Sequence, residues 1–311
     1  MRTCSCFIIL IGGVGSFTLD GLSVGSRPAI AQEVRSAADW EARFPGIKVK
    51  LDAMGYLQVA DFSKCTFPDS AGSADAALAF LPQQSKLRNL TLSGRGLSKV
   101  GIGTVAKCEN LGALSILDGP IGDDELAALR SLTKLKELSL VRLEIGNRCL
   151  APFVNNPSLT KLRVRGAAGV TDQTIAEYLP NFANLVSLEL SELAIGDASL
   201  DTIAKLPKLS ELNLLRTRVT NAGLKKLAGL SLKKLNLDDI ATIGDEAIPA
   251  ILAIPTLEFL HLGKTKVTDQ GVAELSGLKN LKDLLINDTA VSEKALAELQ
   301  AKLPDLKIKS K

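Results

Sequence analysis

The chain is poor in the residues that usually carry chemistry. Its 311 residues include one histidine, one tryptophan, two tyrosines, two methionines and five cysteines. A single histidine, His261, cannot complete a Cys/His metal set, nor a nucleophile–base–orienter set at any recognisable spacing. No catalytic residue, metal ligand or cofactor site is therefore expected. Aromatics make up 4% of the chain, which leaves aliphatic side chains to build the core and few platforms for stacking sugars. Net charge is also scarce: 37 basic against 34 acidic residues leave +3, no footprint for a nucleic-acid binder. Sparse cysteines exclude a disulfide framework.

Long apolar runs are missing as well, with one short exception at the start. Arg2 precedes the apolar stretch Phe7 to Val14, loosely continued to Leu19, and Asp20 stops it short of the roughly 18 apolar residues needed to span a bilayer. Ala29-Ile30-Ala31 is a small-x-small site. Residues 1–31 read as a secretory signal cut between Ala31 and Gln32, which sends the protein out of the cell or into the envelope and leaves no membrane span in the mature chain. Cys4 and Cys6 leave with it, and Cys65, Cys108 and Cys149 remain.

What the sequence has in abundance is leucine at a fixed period. The pattern L-x-x-L-x-L begins at Leu87, Leu111, Leu135, Leu159, Leu185, Leu209, Leu232, Leu257 and Leu281, at steps of 23 to 26 residues. A shortened copy ends the chain at Leu303, Leu306 and Ile308, and a divergent one precedes the series at Leu57, Ala60 and Phe62. The first half of each copy alternates apolar and polar residues, as a strand does. The second half opens on a Thr-Asp or Thr-Asn pair, as at Thr268-Asp269 and Thr220-Asn221, and then spaces apolar residues three to four apart, as a helix does. One such coil cannot bury its own apolar side. Stacked coils share a continuous core.

These residues resemble the leucine-rich-repeat proteins of the ribonuclease-inhibitor-like, cysteine-containing kind. The turn Thr268–Val272, and the run Gly46–Gly55 leading into Val59–Phe62, are similar to secreted short-repeat proteins of planctomycete-type bacteria. The resemblance covers about residues 46–311. It implies an α/β right-handed solenoid, a leucine-rich-repeat horseshoe with one parallel sheet on the concave face and short helices on the convex one. The expected organisation is a signal over 1–31, an N-terminal cap of helix plus hairpin over 32–62, and a solenoid with a short C-terminal cap over 63–311. In the cap, Val34, Ala37 and Phe44 are expected on one side of a helix with Trp40 nearby. Two coils are longer than the rest, at Gly166–Val170 and Ala241-Thr242, and mark either recognition loops or drift.

Several look-alikes fail on context. Gly21–Gly25 matches G-x-S-x-G inside the leader. Gly263-Lys264-Thr265 lacks the glycine of a phosphate loop, because Glu258 stands there. Gly122–Glu125 is acidic at a helix start, where the helix dipole favours acids. Asn89 and Asn287 match the glycan acceptor pattern but fall on strands.

Binding candidates come from the x positions of the strands, which face outward. One row is Thr91, Ser115, Ser139, Arg163, Glu189, Asn213, Asn236, His261 and Leu285. One flank carries Glu137, Lys161, Glu211, Lys234, Phe259 and Asp283, and the other Val141, Arg165, Ser191, Leu215, Asp238, Gly263 and Asn287. Two clusters stand out: the cations Lys161, Arg163 and Arg165 beside Glu189, and Phe259, His261 and Leu285, expected to be exposed. Aromatic, arginine and aliphatic residues facing outward suit interface anchors. The expected function is a non-enzymatic, monomeric scaffold holding a protein partner on its concave face. A recognition module like the repeat part of F-box ubiquitin-ligase receptors, or an envelope- or carbohydrate-binding protein, are the alternatives.

Overall fold

A computed structural model describes residues 36–67 and 72–310; the expected leader and the junction Ala31–Gln32 lie outside the described residues. Among the described residues, twelve strands form one open sheet in strict chain order. Strand β1 (Lys48–Leu51) runs antiparallel to β2 (Leu57–Asp61), and every later strand is parallel to its neighbour. They are β3 (Asn89–Ser93), β4 (Ala113–Gly119), β5 (Glu137–Leu143), β6 (Lys161–Arg165), β7 (Ser187–Ser191), β8 (Glu211–Asn213), β9 (Lys234–Asn236), β10 (Phe259–His261), β11 (Asp283–Leu285) and β12 (Lys307–Lys309).

Register follows the leucines. Leu162 pairs with Leu188, Leu212 with Leu235, Leu260 with Leu284, and Leu284 with Ile308. Each of these leucines is buried, so one column of the repeat becomes one continuous apolar spine. Short helices return the chain across the outer side: α2 (Lys99–Ala106), α3 (Asp123–Leu126), α4 (Asp172–Tyr178), α5 (Asp197–Ile203), α6 (Asn221–Leu224), α7 (Ile248–Leu252), α8 (Asp269–Glu274) and α9 (Glu293–Lys302), after a first helix α1 (Ala37–Arg43). Ser98, Thr171, Thr220, Thr268 and Ser292 cap their helices by accepting a backbone N–H on the side-chain oxygen, as the Thr-Asp and Thr-Asn pairs predict.

The acids at the first helical position do more than meet a helix dipole. Asp123 accepts N–H bonds from Gly146 and Arg148 of the next coil, at 2.8 and 3.0 Å. Asp172 reaches Gly196 at 2.9 Å, Asp197 reaches Thr220 at 2.8 Å, and Asp269 reaches Ser292 at 2.6 Å. Asn147 and Asn221 do the same for Thr171 and Gly244. These acceptors, half-buried except for the exposed Asp269, thus meet backbone donors at helix starts, which no helix can satisfy internally. A ladder of side chains ties coil to coil along the edge where the helices begin.

A second ladder runs along the C-terminal ends of the strands, a few residues before the helix starts. Asp118, Arg142, Glu192, Arg216, Asp239, Lys264 and Asp288, one per coil, have left-handed backbones with φ of 51–56°, and Gly166 (φ 65°) holds the same place in its coil. Their charges alternate in sign. Arg142 pairs with Asp118, and Arg216 pairs with both Glu192 and Asp239.

The core differs from the expectation at its N-terminal end, where it is aromatic. Trp40, Phe44, Phe62 and Phe80 form one cluster with ring centroids 5.2–6.3 Å apart. Ala37, expected to face inward, is exposed, because the one-turn spacing of Trp40 and Phe44 sets the buried side of the helix. Cys65, Cys108 and Cys149 are buried free thiols. Burial pushes their pKa up to about 11, 11 and 12. Cys149 occupies the small-residue slot that Gly223 and Gly271 fill in other coils, beside the ladder acid of the preceding coil.

Candidate functional site

Strand alternation sends the leucine spine inward and the x residues to the opposite face. The central row is in register from Thr91 through Ser115, Ser139, Arg163, Glu189, Asn213, Asn236 and His261 to Leu285. The flank carrying Glu137, Lys161, Glu211, Lys234, Phe259 and Asp283 is aligned in the same way. The other flank is not a solvent row throughout. Val141, Ser191 and Gly263 are buried, each immediately before the left-handed residue of its coil, Arg142, Glu192 or Lys264.

The basic cluster on β6 comes together as expected, but it is neutralised. Lys161 Nζ lies 2.8 Å from Glu137, Arg163 Nε 3.0 Å from Glu189, and Arg165 Nη2 2.9 Å from Glu192. Glu189 also accepts from the Ser191 hydroxyl at 2.9 Å. The hydrogen bond from Arg165, with the nearby Arg216 charge, holds the Glu192 carboxyl below its ordinary range. Glu192 escaped the sequence reading because it lies on the turn, outside the strand pattern. Asn213 and Asn236 are similarly occupied. Their side-chain oxygens accept the N–H of Leu215 at 3.0 Å and of Asp238 at 2.8 Å, closing a turn at the end of each strand.

The second cluster lies on β10 and β11. Phe259, His261 and Leu285 are half-buried rather than exposed, since each lies against residues of the adjoining strands. His261 Nε2 sits 3.2 Å from Asn287 Oδ1 and 3.5 Å from Asp238 Oδ1. Asp238 Oδ1 is buried and receives no hydrogen bond. Gly263 makes the convergence possible: a Cβ there would stand 2.6 Å from both Asp238 and Asn287 and 2.9 Å from His261. Sequence reasoning placed Asp238 and Asn287 in the flanking row but did not group them with His261. The glycine in a row of larger residues was the available signal. Among the described residues no hydroxyl or thiol is hydrogen-bonded to His261; the arrangement is a polar notch at one end of β10, with Leu285 in register beside His261 and Phe259 two residues before it.

Among the described residues no group of three or more His, Cys, Asp or Glu could hold a metal ion. None of the described helices is long and apolar enough to cross a membrane.

The comparisons agree with this geometry. Residues 253–276, which contain β10 and its helix, match the Leucine Rich repeat family. None of the curated proteins matches the chain. The solved structure of an internalin from Listeria monocytogenes is similar over 74% of this chain at 22% identity and a TM-score of 0.53. This chain covers 63% of that internalin's length. A second internalin of the same species is similar over 79% of this chain and 94% of its own, at 20% identity and a TM-score of 0.52. The fold is that of a leucine-rich-repeat solenoid.

Proposed function

We propose that the protein is a non-enzymatic scaffold that holds a protein partner on its strand face, centred on β10 and β11. The observation that carries this reading is the grouping of two half-buried apolar anchors, Phe259 and Leu285, with the polar notch of His261, Asn287 and Asp238 beside them. Anchors of this kind, partly desolvated and set beside directional polar groups, are where interfaces concentrate their binding energy. The basic strand is the weaker candidate. Its three cations already have carboxylate partners, so a ligand would have to displace them.

The wider reading follows the sequence. Residues 1–31 are a secretory signal cleaved between Ala31 and Gln32, residues 32–62 cap the solenoid, and the mature protein is a monomer outside the cytoplasm. The repeats are of the ribonuclease-inhibitor-like kind. The aromatic cluster of Trp40, Phe44, Phe62 and Phe80, which closes the first coil, supports the cap. Residue-level footprinting of the protein with and without its partner tests the site: protection should concentrate on Phe259, His261 and Leu285. Protection confined to the helix side would refute it.

A further inference from the structure

The two sides of each coil carry opposite charge. Where a strand leads into its helix stand the ladder acids Asp123, Asp172, Asp197, Asp245 and Asp269. On the other side, the outer layer leads back into the next strand. There the residue after the first leucine of each copy forms an unbroken backbone row. Arg88 donates its N–H to Gln58, Gly112 to Arg88, Lys136 to Gly112, Thr160 to Lys136 and Val186 to Thr160, at 2.7–2.9 Å. The residue before that leucine adds a second row, in which Lys134 Nζ reaches Asn110 of the preceding coil at 2.9 Å. Lys86, Arg88, Lys134 and Lys136 are exposed, and none has an ion pair among the described residues. The acids beside them are Glu109, and Glu137, which Lys161 already holds. Further along, less charge is left over. Lys233 and Lys282 share Glu258, and the recess of about 420 Å³ that they line with Lys279 also holds Asp305.

The apolar residues left in water lie on this same side. Of the large hydrophobic side chains exposed among the described residues, Met54, Tyr56 and Val186 belong to it, and Val100 lies at the start of α2. Met54 is 79% and Tyr56 51% exposed, at the tip of the hairpin that joins β1 to β2. Asp52 fixes that tip by accepting the N–H of Met54 and of Tyr56, both at 2.9 Å. Tyr56 stands in the same row as Lys86 and Lys134, one residue before the first leucine of its copy. Val186 closes the other row five strand steps from the tip, about 24 Å away.

We propose that this side of the solenoid docks on an anionic membrane surface. Met54, Tyr56 and Val186 enter the headgroup layer, and Lys86, Arg88, Lys134 and Lys136 lie against lipid phosphates between them. Tyrosine is suited to that layer, and each lysine can lay its aliphatic stem along it while keeping the ammonium at the phosphates. The ladder acids on the far side are repelled by the same surface, which orients the protein as it approaches. A soluble polyanion would engage the cations but has no use for exposed methionine, tyrosine and valine. A second copy of this chain would set the same cations face to face. Strand side chains point in another direction, so a docked protein keeps its strand face open.

The test is co-sedimentation with sucrose-loaded vesicles, made either of phosphatidylcholine alone or of equal parts phosphatidylcholine and phosphatidylglycerol. The protein, in the form its own cells produce, should pellet with the mixed vesicles, come off as salt rises, and leave the neutral ones alone. Lys86→Ser/Lys134→Ser/Lys136→Ser should lower the partition coefficient about a hundredfold. Met54→Ser/Tyr56→Ser should lower it about tenfold. Both variants change exposed side chains and should melt within about 3 °C of the parent. A Phe259→Ala/Leu285→Ala variant should pellet as the parent does, which separates this side from the strand-face site. Absence of binding to the mixed vesicles, equal binding to both kinds, or binding unmoved by the lysine or the tip changes would each overturn the proposal. Capture on dextran sulfate beads without vesicle binding would overturn it in favour of a soluble polyanion.

Discussion

Asp245 grips Thr268 of the following coil twice, accepting its backbone N–H at 2.8 Å and its hydroxyl at 2.6 Å. The same carboxylate forbids a side chain at residue 271, where a Cβ would lie 2.3 Å from Oδ1. Asp245→Ala should therefore cost about 1.5–3 kcal/mol, the worth of hydrogen bonds to a charged acceptor. Gly271→Ala should destabilise the parent but cost much less once Asp245 is alanine. Urea melts of the two single variants and the double variant check this. Strict additivity would mean that the two residues do not meet.

The left-handed turns separate strain from charge. Lys264 adopts φ 52° and has no ion pair among the described residues, whereas Arg216 at φ 53° is paired with Glu192 and Asp239. A left-handed backbone costs an ordinary residue roughly 1–2 kcal/mol that glycine avoids. Lys264→Gly should raise the melting temperature. Arg216→Gly should gain the same relief, lose its ion pairs, and finish at or below the parent.

Acid should loosen the protein in a definite direction. Asp118 is held below its ordinary pKa by the Arg142 hydrogen bond, Glu192 by Arg165, Glu211 by Lys234 and Asp269 by the Ser292 backbone. A carboxyl whose folded pKa is depressed contributes stability that is present above its unfolded pKa and is lost as pH falls through the folded one. Melting temperature should thus decline as pH drops below the ordinary values of 4.5 for Glu and 3.8 for Asp. A melting temperature that is constant or rises between pH 5 and pH 3 would contradict the assignment.

The thiols should be inert while the fold is intact. With pKa values near 11 to 12, Cys65, Cys108 and Cys149 hold almost no thiolate at pH 8. A thiol reagent at pH 8 should label them slowly in the native protein and promptly in denaturant. Rapid native labelling of Cys149 would mean that its coil opens easily.

How much of this was legible in the sequence depends on how far apart the cause and its partner lie. The leucine spine was readable because burial enforces a period, and Leu260, Leu284 and Ile308 stand where that period puts them. The acid ladder was not. Asp245 looks like a residue serving its own helix, and its partner Thr268 lies 23 residues on. The left-handed row was hidden because Arg216, Glu192 and Lys264 are not the glycine or asparagine that usually announces such a turn. At the site, alternation placed Phe259, His261 and Leu285 on one face, but it could not show that Asp238 and Asn287 converge on His261, since that depends on the missing side chain of Gly263.

The central claim is that the strand face around β10 and β11 binds while the leucines behind it hold the fold. The most direct measurement is a paired one, thermal melting and partner capture, on Leu260→Ala and on His261→Ala combined with Phe259→Ala. Leu260 is fully buried, so its truncation should cost about 2–5 kcal/mol. The His261/Phe259 variant should melt close to the parent and lose the partner. A stable Leu260→Ala beside an unfolded His261/Phe259 variant would set the strands one residue out of register. A well-folded His261/Phe259 variant that still captures the partner at full strength would move the site off this face.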